Sequence, residues 1–130
     1  MVKSAWIVDD DREMRDALKM MLTMNGYHVT QFPDVPTAAK ALVGGTAPDL
    51  FLLDLNMPVV SGLEFLEFIR QRKSWAHIPV IMVTSESDES MIEKAIKQGA
   101  DGYVVKPVSL EQLKAAIFTA IERRKAVAGE

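Results

Sequence analysis

The chain has 130 residues, with 15 basic and 18 acidic side chains and a formal net charge of −3. The absence of cysteine excludes disulfide scaffolds, zinc sites built on thiolates and cysteine nucleophiles. A mildly acidic chain without a long basic run is a poor nucleic-acid binder, and its apolar runs are too short to cross a bilayer. The N-terminus does not have the pattern of a signal peptide. One compact, cytoplasmic domain is therefore expected.

Short apolar runs alternate along the chain with segments of helical periodicity. Three runs are continuous, as is typical of strands buried on both faces, and two weaker runs have a strand-like composition. The helical segments place apolar residues on one side and are bounded by capping residues such as Asp34, Ser61 and Gly99. Strands are predicted at residues 5–8, 27–32, 50–53, 80–83 and 103–105, and helices at residues 11–24, 35–43, 61–69, 88–98 and 109–125.

The predicted elements form five successive strand–helix units. This order indicates an α/β fold in which a five-stranded parallel sheet carries helices on both faces, a doubly wound arrangement. One domain is predicted over residues 1–125. Residues 126–130 are expected to be a C-terminal tail, either a natural terminus or the stump of a linker.

Polar residues follow four of the five predicted strands. In a doubly wound sheet, ligands bind in the crevice beyond the carboxyl ends of the strands. We therefore expect one crevice to collect the following side chains: Asp9, Asp10 and Asp11 after the first strand, Asp54 after the third, Thr84 and Ser85 at the fourth, and Lys106 after the fifth.

The carboxylates of this group indicate a cation site. Any single strand-end aspartate is best explained as a helix cap, and Asp11 is assigned that role. Carboxylates held together raise one another's pKa unless a cation intervenes, and oxygen clusters of this kind suit Mg²⁺. With the Lys106 ammonium and a hydroxyl nearby, the set is suited to a phosphoryl group. No glycine-rich phosphate loop is present, and an acidic first turn would repel the phosphates of a nucleotide, so the phosphoryl group is expected to be transferred to a side chain. Asp54, the only acid alone on the middle strand, is the predicted acceptor.

Four short motifs follow the strand ends of the chain: Ile7-Val8-Asp9-Asp10, Asp54-Leu55-Asn56-Met57-Pro58 with Gly62, Val83-Thr84-Ser85, and Val105-Lys106-Pro107. Together they resemble the signatures of response-regulator receiver domains, and the resemblance covers essentially the whole chain. It is strongest to the CheY-like, single-domain type. The resemblance implies a flavodoxin-like (βα)5 fold with strand order 2-1-3-4-5.

The resemblance implies a role for each residue of the acidic crevice. Asp54 would be the phosphoacceptor. Mg²⁺, for which Mn²⁺ could substitute, would be bound directly by Asp10 and Asp54, through water by Asp9, and by the backbone carbonyl of Asn56. Lys106 would pair with the acceptor carboxylate and then with the phosphoryl oxygens.

The resemblance also implies a route from phosphorylation to the surface. Thr84 would hydrogen-bond the phosphoryl group, and Tyr103 would rotate into the vacated space. This change would alter the face formed by the fourth and fifth predicted helices and the fifth strand. A cis peptide is expected between Lys106 and Pro107.

The phosphorylated form is expected to decay by itself. In receiver domains, the side chains at the positions of Asn56 and Glu86 flank the path of the water that cleaves the acyl phosphate. The combination of Asn and Glu is similar to that of chemotaxis regulators with short-lived phosphate. We therefore predict fast self-dephosphorylation. The protein would catalyse only its own phosphorylation and dephosphorylation, and so would not be an enzyme in the usual sense.

The expected partners follow from this chemistry. The donor would be a phosphohistidine on a sensor histidine kinase or a histidine phosphotransfer protein, and the downstream target is an unknown protein. We expect neither nucleic acid nor membrane to bind this domain directly. The chain would be a monomer, or a weak dimer through the face formed by its last two helices and last strand.

Methionines crowd the first predicted helix. Helical spacing favours core positions for Met14 and Met21. Met20 and Met24 are candidates for an exposed, pliable surface that docks the phosphodonor, with core packing as the alternative.

Two other function classes share part of this residue set. Phosphatases of the haloacid-dehalogenase type also use an aspartate nucleophile with Mg²⁺, but they need an acid two residues after it. That position is Asn56, which cannot act as a general acid. A degenerate receiver that only binds partners is disfavoured because every chemical residue is present.

Overall fold

The computed structural model describes residues 2–128. Its five strands form one parallel sheet with the order β2-β1-β3-β4-β5. The predicted doubly wound α/β fold and its strand order are therefore confirmed. The strands are β1 (Lys3–Val8), β2 (Tyr27–Phe32), β3 (Leu50–Leu53), β4 (Val80–Thr84) and β5 (Gly102–Val105).

Six helices lie within the described residues, one more than the sequence predicts. The extra helix is the single turn α4, so the fourth and fifth predicted helices are α5 and α6. None of these helices is both long enough and apolar enough to cross a membrane. The helices are α1 (Arg12–Met24), α2 (Val35–Val43), α3 (Gly62–Arg70), α4 (Lys73–Ala76), α5 (Glu89–Lys97) and α6 (Leu110–Ala128).

The helix α6 is longer than expected. It continues through Ala128, three residues beyond the predicted domain boundary at residue 125. Part of the predicted tail is therefore helical, and its residues 129 and 130 lie outside the described part of the chain.

The side chains of the sheet divide between two apolar clusters, one on each face. Residues of β1 alternate between them, since Trp6 and Val8 join one cluster while Ala5 and Ile7 join the other. The first cluster is covered by α2, α3, α4 and α5, and the second by α1 and α6. This distribution explains why β3 reads as a continuous apolar run, because both of its faces are buried.

Aromatic rings fill much of the first cluster. Trp6 packs against Phe32 and Phe51, with ring centroids 4.7 and 5.8 Å apart. Trp75 of α4 is also buried in this cluster, and the guanidinium of Arg72 lies 4.7 Å from the centroid of its ring. Both tryptophans are therefore core residues.

Capping interactions set the ends of the helices as predicted. The Asp11 carboxylate accepts hydrogen bonds from the amides of Glu13 and Met14 at the start of α1. Ser61 and Glu64 form a capping box at the start of α3. On α1, Met20 and Met24 are each 67% exposed, whereas Met14 and Met21 pack against the second cluster.

A buried ion cluster ties the amino-terminal side of the sheet to two helices. The carboxylate of Asp101 accepts hydrogen bonds from Arg70 of α3 at 2.8 Å, from Arg124 of α6, and from the amide of Val80 at 2.9 Å. Burial lowers the pKa of Arg70 to about 10, against the opposing effect of Asp101. Arg70 remains protonated at neutral pH, so the cluster is ionic.

Candidate functional site

Three carboxylates converge where the central strands end. Asp9 follows β1 and Asp54 follows β3, and the amide of Asp54 donates to the carbonyl of Val8 at 2.9 Å. One oxygen from each of Asp9, Asp10 and Asp54 lies within 4.8 Å of the others. Asp9 and Asp54 are only 1% and 7% exposed, while Asp10 is exposed. We call these three residues the acidic pocket.

Asp9 is fixed in the pocket by its main chain and its carboxylate. Its amide donates to the carbonyl of Phe32 at 3.1 Å, and its Oδ1 accepts from the amide of Asp11 at 2.9 Å. Burial raises the pKa of Asp9, although the Asp11 amide and Lys106 oppose this effect. The negative charge of Asp54 adds to the increase. The pocket therefore disfavours its own full ionisation and favours a cation.

Lys106 connects the two buried carboxylates. Its Nζ lies 2.9 Å from Asp9 Oδ2 and 3.3 Å from Asp54 Oδ2. The Lys106 amide donates to the carbonyl of Thr84 at 2.8 Å, and the peptide bond to Pro107 is cis. Burial alone lowers the pKa of Lys106, but the two carboxylates together outweigh it and raise the pKa. Lys106 is thus a protonated cation within reach of the predicted acceptor.

The loop after β3 folds back onto Asp54. The amide of Asn56 donates to Asp54 Oδ1 at 3.3 Å, and the Asn56 side chain is exposed. A Cβ atom at Gly62 would overlap the carbonyl oxygen of Asp54, so only glycine fits at the start of α3. In the loop between Asn56 and Gly62, Val59 is 93% exposed and has a φ of +71°.

Thr84, Glu86 and Tyr103 form a hydrogen-bonded chain beside the acidic pocket. Thr84 is fully buried, and its Oγ1 accepts from the amide of Glu86 at 3.2 Å. The Tyr103 hydroxyl donates to the carbonyl of Glu86 at 2.8 Å. Burial raises the pKa of Tyr103, and the charges of Glu86 and Asp54 add to the increase. The structure therefore brings the predicted switch residues together.

Sequence reasoning did not identify Arg15, which contacts the main chain of the pocket. Its Nη1 donates to the carbonyl of Asp9 at 2.7 Å, and its Nε donates to Gln31 Oε1 at 3.2 Å. The sequence signal was weak, namely an arginine one helical turn after Asp11.

The donor set of the pocket fits a hard divalent cation. Its three side chains offer carboxylate oxygens alone, which are the ligands that Mg²⁺, Mn²⁺ and Ca²⁺ prefer. Burial and the charge of Asp54 raise the pKa of Asp9 although Lys106 lies beside it, so a bound cation would favour the ionised form of the pocket. These oxygen donors fit any of the three cations.

Comparison with known proteins assigns the class. Residues 5–118 match the model of the response regulator receiver domain. The chain belongs to this family, and its acidic pocket is the phosphorylation site of a receiver in two-component signalling. It is a phosphoacceptor switch and not a true enzyme, which sets the phosphatase alternative aside.

Individual relatives and structures show the same class. The chemotaxis protein CheY of Pseudomonas aeruginosa is 36% identical over 117 residues, which are 90% of this chain and 94% of that protein. The phosphate regulon regulatory protein PhoB of Escherichia coli is 30% identical over the whole chain, but the chain spans only 56% of PhoB. The structure of Vibrio cholerae CheY4 superimposes with a TM-score of 0.83 at 29% identity, covering 92% of this chain and 99% of that one.

Proposed function

We propose that Asp54 accepts a phosphoryl group from a phosphohistidine, with Mg²⁺ as the pocket cation. The convergence of the three carboxylates and Lys106 carries this proposal. An oxygen of Asp54 forms a bond to phosphorus while the phosphorus–nitrogen bond to the donor imidazole breaks. The product is an acyl phosphate on Asp54 and a free histidine on the donor. The receiver class implies a histidine kinase as partner, and a histidine phosphotransfer protein could serve the same step.

Each pocket residue has a part in the proposed transfer. Asp10 and Asp54 would bind Mg²⁺ directly, Asp9 through water, and Asn56 by its backbone carbonyl, and Mn²⁺ could substitute. When bound, the cation supplies positive charge that neutralises the phosphoryl oxygens. Lys106, already held between Asp9 and Asp54, pairs with the incoming phosphoryl oxygens. Burial of Asp54 limits the access of water to the reacting carboxylate.

Thr84 and Tyr103 would relay the change to the face formed by α5, β5 and α6. A phosphoryl oxygen on Asp54 would accept a hydrogen bond from the Thr84 hydroxyl, and turning the hydroxyl toward it would break the bond that Thr84 Oγ1 now accepts from the amide of Glu86. Tyr103 shares Glu86 as a partner, so a shift of this loop reaches β5 directly. The helix α5 is suited to move because Ala95 is its one fully buried residue.

The phosphorylated state is proposed to be short-lived. Asn56 is exposed and Glu86 is partly exposed, each two residues beyond Asp54 or Thr84. In receiver domains these two positions flank the path of the water that cleaves the acyl phosphate, and neither side chain is buried in this chain. We therefore expect fast self-dephosphorylation.

The proposal extends to partners and location. On α1, the exposed Met20 and Met24 are candidates for docking the phosphodonor. The output is contact with a downstream protein, without direct binding of nucleic acid or membrane by this domain. The chain would be a cytoplasmic monomer, or a weak dimer through α5, β5 and α6, with the receiver domain over residues 1–125.

Incubation with acetyl phosphate or phosphoramidate tests the proposal. Intact mass spectrometry should show one labile phosphate that depends on Mg²⁺ and is absent from Asp54→Asn. Asp49→Asn, which changes an aspartate outside the pocket, should still be phosphorylated. Phosphorylation of Asp54→Asn at the wild-type level would contradict the assignment of the acceptor. A phosphate lifetime of hours in Mg²⁺ buffer would contradict fast self-dephosphorylation.

A further inference from the structure

Arg15 of α1 bonds the main chain of the acidic pocket and not its carboxylates. The Nη1 atom donates to the carbonyl oxygen of Asp9 at 2.7 Å, and the Nε atom donates to Gln31 Oε1 at 3.2 Å. Gln31 in turn donates from Nε2 to Asp16 Oδ1 at 3.4 Å. The half-buried guanidinium therefore links the first helix and the second strand to the end of β1.

The carbonyl that Arg15 holds belongs to the peptide group that joins Asp9 to Asp10. The neighbouring amide of Asp9 is fixed by the carbonyl of Phe32 at 3.1 Å. The orientation of this peptide sets the direction in which the carboxylates of Asp9 and Asp10 leave the main chain. Asp10 is exposed, so packing does little to fix its direction. The hydrogen bond from Arg15 to the Asp9 carbonyl therefore restrains this peptide where side-chain packing does not.

We propose that Arg15 is a positioning residue that sets the divalent-cation affinity of the acidic pocket by fixing the Asp9–Asp10 peptide. This inference rests on the proposed function of the pocket as a cation site. The planar guanidinium can donate to Asp9 and Gln31 at once, whereas a lysine ammonium is a point charge with less directional bonding. Partners that orient metal ligands from outside the ligand set commonly control affinity in this way.

The sign of the effect separates positioning from simple charge. If Arg15 acted only through its positive charge, its removal would reduce repulsion and tighten binding of a divalent cation. If Arg15 holds the peptide, its removal weakens binding although a repelling charge is lost. The two accounts therefore predict opposite changes in the dissociation constant.

Titration of the unphosphorylated chain with Mg²⁺ alone, by isothermal calorimetry or amide chemical shifts, tests the inference. Arg15→Met keeps the apolar stem and should raise the dissociation constant for Mg²⁺ about tenfold. Arg15→Lys should bind with intermediate affinity because it can restore one hydrogen bond to Asp9. Arg12→Met, which removes an exposed arginine from the same helix, should bind at least as tightly as the wild type.

The thermal unfolding midpoint without Mg²⁺ separates positioning from folding. If Arg15→Met does not fold, Gln31→Met removes only the second partner and should still weaken Mg²⁺ binding several-fold. Wild-type affinity in folded Arg15→Met, or tighter binding, would overturn the role of Arg15 while leaving the pocket's function intact. Failure of the wild-type chain to bind Mg²⁺ would instead overturn the proposed function on which this inference rests.

Discussion

The Tyr103 hydroxyl donates a 2.8 Å hydrogen bond to the backbone carbonyl of Glu86. This bond joins β5 to the loop between β4 and α5. The same loop residue donates its amide to Thr84 Oγ1 at 3.2 Å. Two residues proposed to sense and report phosphorylation therefore share one partner, and the loop cannot shift without affecting both.

Tyr103→Phe removes this bond and keeps the ring. The free energy of unfolding should fall by about 1 kcal/mol, the usual net value of one hydrogen bond. Amide exchange in residues 85–88 should become faster. Urea unfolding and hydrogen exchange measure the two effects. Tyr27→Phe on β2 is the matched control, since the Tyr27 hydroxyl makes no hydrogen bond within residues 2–128. An equal loss of unfolding free energy in both variants would refute the special role of Tyr103.

The raised pKa of Asp9 predicts a pH-dependent stability in Mg²⁺-free buffer. Because burial raises this pKa above its ordinary value of 3.8, the folded state binds the Asp9 proton more tightly than the unfolded state does. The resulting stabilisation is complete below pH 3.8 and is lost as the pH rises through the folded-state pKa. Asp9→Asn cannot ionise, so its stability relative to the wild type should increase over this window. Urea unfolding at a series of pH values measures the difference.

Asp34→Asn provides the control of opposite sign. The Thr37 hydrogen bonds lower the pKa of Asp34, so its contribution is present above pH 3.8 and is lost as the pH falls through the folded-state pKa. The stability of Asp34→Asn relative to the wild type should therefore increase as the pH falls through this range. A pH-independent difference between Asp9→Asn and the wild type above pH 3.8 would show that Asp9 is not destabilised by burial.

Asp101→Asn should destabilise the fold more than any surface charge change. The substitution leaves the largely buried side chains of Arg70 and Arg124 without their carboxylate, at a cost of about 3–5 kcal/mol in the free energy of unfolding. Glu122→Gln breaks the exposed pair with Lys125 and should cost less than about 0.5 kcal/mol. Urea unfolding followed by circular dichroism measures both. Similar losses of unfolding free energy in the two variants would indicate that the ion cluster around Asp101 adds little to the stability of the fold.

Val59→Asn should stabilise the protein by about 1 kcal/mol, because a left-handed φ costs a β-branched residue about 1–3 kcal/mol and asparagine tolerates it better. Val59 has a φ of +71° and is 93% exposed, so the change sacrifices almost no packing. Val2→Asn replaces another exposed valine that lacks this backbone conformation and should be neutral. The midpoint of urea unfolding compares the two variants with the wild type. A lower midpoint for Val59→Asn would mean that the loop depends on the valine side chain.

The sequence predicted the sheet and the pocket because both follow from the order of elements. Continuous apolar runs such as Leu50–Leu53 identify buried strands, and parallel strands bring their carboxyl ends together. The convergence of Asp9, Asp54 and Lys106 therefore follows from their places after three strands. Motif resemblance was needed for the strand order, since periodicity shows only that strands and helices alternate.

The remaining features depend on contacts that have no periodic signature. The helix α4 is four residues long, too short for a helical pattern, and the burial of Trp75 holds it in place. Arg15 and Asp101 act through bonds to residues on other elements, 6 to 31 positions away. Such bonds depend on the final packing, so a pattern of neighbouring residue types does not reveal them.

The close approach of Gly62 to Asp54 joins the start of α3 to one wall of the pocket. Because the carbonyl oxygen of Asp54 fills the space that a Cβ at Gly62 would need, we expect the start of α3 and the main chain of Asp54 to move together. The amide of Gly62 also donates to the carbonyl of Leu55 at 3.0 Å. Conformational change on phosphorylation is therefore expected on the opposite wall, and α3 provides the frame of reference against which that change can be measured.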